Sequence, residues 1–364
     1  MILLLVLLLA AVRLLLLERL PAYLRPGLHL DAYVANTLDG TITTVDLIRL
    51  VPVATVSVGA DPSGIRAHPT RAEIWGVSSA AGTAWVLDAR TNSISARIPV
   101  GAAPFALDFS PDGRRAYVAA SGANSVVAID CASRQVVARG RAGRRPWIAR
   151  ITPDGSTVVV SNHEDATVSL LDASSLASLA VINVAPRPEQ IAILPDSSKA
   201  FITSGGSSQV SVVDLRRRTL LANLDLGGIP DELDLKSDGG ELYITSAQAH
   251  GLLIVNTQTN EVADFMLLGM APGAVTLAAD KPLFYVADSS AGDIVPIAID
   301  QRRVARPIPV GQKPVQLALT PGGDMLVAVD TQSNDLAVVR TATSGLITLI
   351  PVGQRPRDIA IKVF

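Results

Sequence analysis

From about residue 30 onward, short apolar stretches alternate with turn-forming residues, and helical spacing is never sustained. In the unit after Gly101, Ala106-Leu107-Asp108-Phe109 alternates in polarity as a strand does. Pro111-Asp112-Gly113 is a turn, with proline presetting φ and glycine accepting a positive φ. Ala116 to Ala119 reads as a second strand, Ala123-Asn124 as a turn, and Val126 to Asp130 as a third strand. Val136-Val137-Ala138 begins a fourth. A Gly-x-x-Pro motif precedes such units at Gly59, Gly101, Gly143, Gly227, Gly269, Gly311 and Gly353, and Ala185 stands for glycine in the remaining one. Successive motifs are 42 residues apart without an insertion.

Four strands per 42 residues is the period of a β-propeller blade. One blade cannot bury both faces of its sheet, whereas blades stacked around an axis bury them and a closed ring leaves no end. The chain enters at Tyr33-Val34-Ala35-Asn36, in phase with second strands, and leaves at Asp358 to Phe364, in phase with first strands. The pattern therefore predicts an all-β propeller closed by its C-terminal strand joining the N-terminal blade. Second strands begin in eight places, so eight blades are expected, with seven as the alternative. The unit from Met325 departs most, because Arg340 replaces the Asp that ends the third strand at Asp46, Asp88, Asp130, Asp172 and Asp214.

The N-terminus has a different character. Met1 to Val12 is wholly apolar, Arg13 interrupts, and Leu14 to Leu17 resumes. Residues 1–30 are read as a signal peptide or an N-terminal membrane anchor, and 31–364 as a single propeller domain. A periplasmic, secreted or cell-envelope location is expected, with membrane association through the N-terminus. Aromatics are few, so the core must be built from Val, Ile, Leu and Ala. A formal charge of −2 argues against a general nucleic-acid binder. The single cysteine, Cys131, permits no disulfide framework, and no haem-attachment spacing exists.

These residues resemble the YVTN-type β-propeller repeat family. Tyr33-Val34-Ala35-Asn36 is close to its name motif, and Ser110-Pro111-Asp112-Gly113, Ile129-Asp130 and Pro99-Val100-Gly101 match its other elements. The resemblance covers 33–364 and implies secreted or envelope-associated propellers, commonly seven-bladed and mostly without shared catalytic residues.

Loops on a rigid scaffold are where function usually lies. Strand direction places the fourth-to-first connections and the second-to-third turns on one face, around the mouth of the central channel. Unusual residues there are Arg144, Arg145 and Trp147, then Arg187 and Glu189, then Lys313, then Arg355 and Arg357. In an eight-bladed ring, the unit of Arg144 faces that of Lys313, and the unit of Arg187 faces that of Arg355. Asp231 and Glu232 lie on one side between these arcs. Guanidinium forks suit carboxylate or phosphate oxygens, and Trp147 offers a stacking surface. The opposing expectation is a solvated rim, with Trp147 capping the core between blades. His163, beside Glu164 and Asp165 in a second-to-third turn, is a further candidate, against the reading of a solvated turn. Further along the innermost strands, Arg66, Asp108 and Arg150 alternate in sign and predict a structural ion-pair ladder.

No Ser-His-Asp set, phosphate loop or H-E-x-x-H is found, so no catalytic residue, metal site or cofactor is expected. The leading reading is a monomeric, non-enzymatic propeller that binds a protein partner or small anionic ligand at the mouth. The alternatives are a lactonase- or lyase-like propeller enzyme and a quinone-cofactor or electron-transfer propeller.

Overall fold

The computed structural model describes residues 28–269, 271–278 and 282–364. Residues 1–27, on which the expectation of a signal peptide or anchor rests, lie outside them. Eight antiparallel sheets follow one another around an axis, which decides the blade count in favour of eight. Blade 1 is composite: Leu30–Asn36, Thr41–Asp46 and Val51–Ser57 come from the N-terminus, and Pro356–Val363 supplies its innermost strand. The innermost strands of blades 2 to 8 are Pro62–Ala67, Pro104–Phe109, Pro146–Ile151, Pro188–Ile193, Leu233–Leu235, Pro272–Leu277 and Pro314–Leu319. In blade 7 the outermost strand is split into Arg303–Val304 and Ile308–Pro309, with Pro307, which has no N–H to donate, between them.

Ring closure follows the register read from the ends. Tyr33 pairs with Ala360 and Leu30 with Val363. His29 and Phe364 exchange two backbone hydrogen bonds, at 2.9 and 3.1 Å, and stack their rings at 5.2 Å. His29 thus belongs to the closure seam rather than to a segment ahead of it.

The burial pattern explains the apolar pattern. Second strands are covered on both faces, as in Glu73–Ser78, and read as continuous apolar runs. Fourth strands such as Ser93–Pro99 alternate between half-buried and exposed. The core consists of wedges between blades; one joins Trp75, Val77 and Val86 to Leu107, Val118 and Ile129.

The repeated polar residues have fixed tasks. Where an Asp ends the third strand it accepts two amides of the following turn: Asp46 takes those of Ile48 and Arg49, and Asp130 those of Ala132 and Ser133. Arg340 cannot accept them, and in that blade the Thr341 hydroxyl instead donates to the Gly323 carbonyl at 2.6 Å. At Gly59, Gly143, Gly269, Gly311 and Gly353 the glycine of Gly-x-x-Pro lies against the side chain that ends the second strand. The Gly143 N–H donates to Asn162 Oδ1 at 3.0 Å, and a Cβ on Gly143 would lie 2.7 Å from Asn162 Cγ. Where Ala185 replaces the glycine, the smaller Ser204 ends the second strand, and the Ala185 N–H donates to Ser211 Oγ at 2.9 Å.

Candidate functional site

Fourth-to-first connections and second-to-third turns meet on one face, as the strand order requires. The amides of His163, Thr331 and Thr37 donate to the carbonyls of Arg145, Lys313 and Arg355. In each of these connections the residue before the proline is left-handed. Arg145, Arg187, Lys313 and Arg355 have φ of 52°, 52°, 59° and 54°. L-residues with side chains avoid this region, at a cost of roughly 1–2 kcal/mol each. Four long cationic side chains therefore occupy one strained loop position, in two pairs of neighbouring blades that face each other across the axis.

The two arcs differ in how their charge is met. In blades 4 and 5 each cation has a carboxylate. Arg144 binds Asp165 through its backbone N–H and Nε. Arg145 Nη1 lies 3.3 Å from Glu164 Oε1, and its guanidinium sits 5.6 Å from the Trp147 ring centre. Arg187 Nη2 lies 3.9 Å from Glu189 Oε1. On the far arc Lys313, Arg355 and Arg357 are exposed, and their side chains make no hydrogen bond or ion pair among the described residues.

Trp147 stacks on Phe105 of blade 3 at 3.8 Å and on His163 at 5.2 Å, so its stacking capacity is used inside the protein. It also packs against the apolar wedge containing Ile148, Val159 and Ile191, the capping role weighed above. His163 is not a solvated turn residue, since only 9% of its surface is exposed. Its Nε2 lies 3.3 Å from Glu189 Oε1 and accepts from Arg187 Nε at 3.4 Å, while its buried Nδ1 has no partner. Glu164 and Asp165 turn to the arginines instead, so the turn does not converge on an ion. Among the described residues no group of three metal-ligating side chains occurs.

Below the mouth, most innermost strands carry a bulge just after the proline, as between Pro146 and Ala149 and between Pro188 and Ile191. The expected charge ladder is only partly formed. Arg150 lies 3.9 Å from Asp108, whereas Arg66 turns to its neighbouring carbonyl at Ile65, 2.8 Å away. Asp108 accepts the Ile151 amide of the next blade at 3.2 Å, and Asp358 accepts that of Ile65 at 3.0 Å. Glu232 accepts from Gln190 Nε2 at 2.8 Å. Burial pushes the Glu232 carboxyl up to about 7, against Arg150, which pulls it down. Burial also lowers the Arg150 pKa, with Asp108 opposing.

Arg144, Arg145, Trp147, Arg187, Glu189 and His163 are thus brought into one neighbourhood of blades 4 and 5. Lys313, Arg355 and Arg357 form a separate group on blades 8 and 1. Sequence reasoning missed Phe105 as a stacking partner and Asp358 as a contact between blades. Phe105 carried a signal, since it occupies the same repeat position as Trp147 on the adjacent blade.

No curated protein sequence matches this chain. Among solved structures, the dihydro-heme d1 dehydrogenase NirN in complex with DHE is similar with a TM-score of 0.77 and 16% identity, over 90% of this chain and 74% of that one. AztD of Citrobacter koseri is similar with a TM-score of 0.71 and 11% identity, over 93% and 98%. Hydrazine synthase of Kuenenia stuttgartiensis gives 0.62 and 19%, over 78% and 97%. At these identities the likeness is one of fold. The model of one sequence family covers residues 23–283, and the chain belongs to that family, the YNCE-like β-propellers.

Proposed function

We propose that the chain is a non-enzymatic, extracytoplasmic propeller that binds a small anionic ligand at its channel mouth. The observation that carries this reading is the placement of Arg145, Arg187, Lys313 and Arg355 in one left-handed loop position. Asp61 and Ala103 are left-handed at the same position of blades 2 and 3, so the conformation belongs to the repeat and the cation is what distinguishes these four blades. Lys313, Arg355 and Arg357 supply the uncompensated charge, and the arginines of blades 4 and 5, already balanced, supply the opposite wall. NirN, a propeller of similar shape, is described in complex with DHE, which supports use of such a scaffold for a small molecule. The apolar run from Met1 to Val12 and the YVTN-type repeats support a periplasmic, secreted or envelope location, with the N-terminus as a membrane contact.

The test is thermal shift and calorimetry with citrate, inorganic phosphate and galacturonate on wild type and on Lys313→Ala/Arg355→Ala. The expected result is a ligand-dependent shift in wild type that the double variant loses, with the free proteins melting alike. Equal shifts in both proteins, or none in wild type, reject the reading.

A second reading is a lactonase- or lyase-like enzyme that draws on His163 and Glu189, which stand 3.3 Å apart near the mouth. Hydrolysis of sugar lactones by wild type but not by His163→Asn would establish it in place of the first.

A further inference from the structure

On the face away from the mouth, four blades are pinned to the next by the first residue of the second strand. Glu73 binds Arg134 at 2.8 Å, Lys199 reaches Asn260 Oδ1 at 3.0 Å, Arg115 reaches the Ser174 carbonyl at 2.7 Å, and Glu241 pairs with Arg302. In blade 1 the residue one repeat before Glu73 is Asp31, whose side chain is too short to cross. The corresponding turn residue of blade 2, Asn92, accepts from Thr44 Oγ1 at 2.9 Å instead. A cavity of about 560 Å³ remains between the two blades.

The chemistry of this cavity is two-sided. Asp31 is 4% exposed and stands in register opposite Asp46. Asp46 is occupied by the amides of Ile48 and Arg49, both at 2.8 Å, and by the Arg49 guanidinium at 3.7 Å. Asp31 accepts no backbone amide and has no cation at ion-pair distance among the described residues. Burial and then Asp46 push its carboxyl up to about 6, while His29 and the adjacent Tyr33 hydroxyl ease it down. Tyr33 is fully buried, and its hydroxyl makes no well-formed hydrogen bond. The stacked rings of His29 and Phe364, with Val53, form an apolar wall. Arg90 stands at the rim, exposed and without an ion pair among the described residues.

A simple cation would meet Arg49 and Arg90 on entry. A simple anion would meet Asp31 and Asp46 at the floor. We propose that this cavity binds a small amino-acid-like zwitterion, its ammonium on Asp31, its carboxylate toward Arg90 and its side chain against His29 and Phe364. An ammonium at Asp31 gives this buried carboxylate the cation and the further donors that the Tyr33 hydroxyl alone does not supply. The inference stands apart from the mouth, which lies on the opposite face.

Calorimetry with L-phenylalanine and L-leucine tests it, with phenethylamine and phenylpropionate as single-charge counterparts. The amino acids are expected to bind at least about tenfold more tightly than either counterpart. Asp31→Asn abolishes the binding, and Arg90→Ala, an exposed and structurally silent change, weakens it. Asp31→Asn melts no lower than wild type, because it removes a charge facing Asp46. Absence of binding in wild type, equal binding by both variants, or counterparts that bind as tightly as the amino acids overturn the proposal.

Discussion

The Asp234 carboxylate of blade 6 accepts the Leu277 backbone N–H of blade 7 at 2.9 Å. Asp108 does the same for Ile151, and Asp358 for Ile65 across the ring closure. Each donor lies one repeat and one residue further around the ring. The acids beneath the mouth therefore join blade to blade through the backbone, whether or not an arginine stands near.

It follows that Asp234→Ala lowers stability by about 1–3 kcal/mol, while Asp234→Asn, which keeps an acceptor oxygen, costs much less. Asp108→Ala costs at least as much, because Arg150, 3.9 Å away and partly exposed, also loses a neighbouring carboxylate. Urea denaturation measures both. Anion affinity at the mouth is expected to stay unchanged, which separates joining blades from binding ligand.

Blade 5 shows how to rewrite blade 4. Gly143→Ala places a methyl 2.7 Å from Asn162 Cγ and from Asp165 Oδ2, and is expected to cost about 1–3 kcal/mol. Adding Asn162→Ser removes the first of these two contacts and recreates the Ala185 and Ser204 pair, with Ser169 at the position of Ser211 to accept the freed amide. The double variant should be more stable than Gly143→Ala alone. A double-mutant cycle read by chemical denaturation gives the coupling, and simple additivity would show that the clash is relieved elsewhere.

The closing strand is predicted to be indispensable. Deleting Pro356–Phe364 uncovers Leu30, Ala32 and Val34, all fully buried, together with the adjoining wedge of blade 8. The truncated chain should lose cooperative thermal unfolding and aggregate. Retention of a sharp transition would mean that seven continuous blades suffice.

The architecture was legible because its signals are local and repeated. The Gly-x-x-Pro spacing, the Asp ending the third strand and the phase of the two chain ends each recur at fixed intervals. The mouth was legible only as a roster. Arg144 and Arg145 stood out, but their partners Asp165 and Glu164 come from a turn some twenty residues on and looked like solvated turn residues. The burial of His163 was hidden for the same reason, since Glu189 reaches it from the next blade. The bulges concealed a further layer. Asp358 sits two residues earlier in its strand than Asp108 does, yet makes the same contact, and strict alternation placed only the latter in the ladder.

Glu232 gives the channel a pH dependence of calculable sign. Its folded-state value of about 7 lies above the ordinary 4.5, chiefly because burial penalises its charge. Below the ordinary value both folded and unfolded states are protonated, and the folded state is favoured most. That advantage is lost as the pH rises through about 7, where the folded protein must hold the charge. Glu232→Gln keeps a hydrogen-bonding group beside Gln190 and removes the charge. The variant should match wild type near about pH 4 and exceed it near about pH 8 by on the order of a few kcal/mol. Urea denaturation at the two pH values reads the difference. A constant difference, or one of opposite sign, would mean that Arg150 and Arg66 keep Glu232 ionised and that the waist is a closed ion cluster.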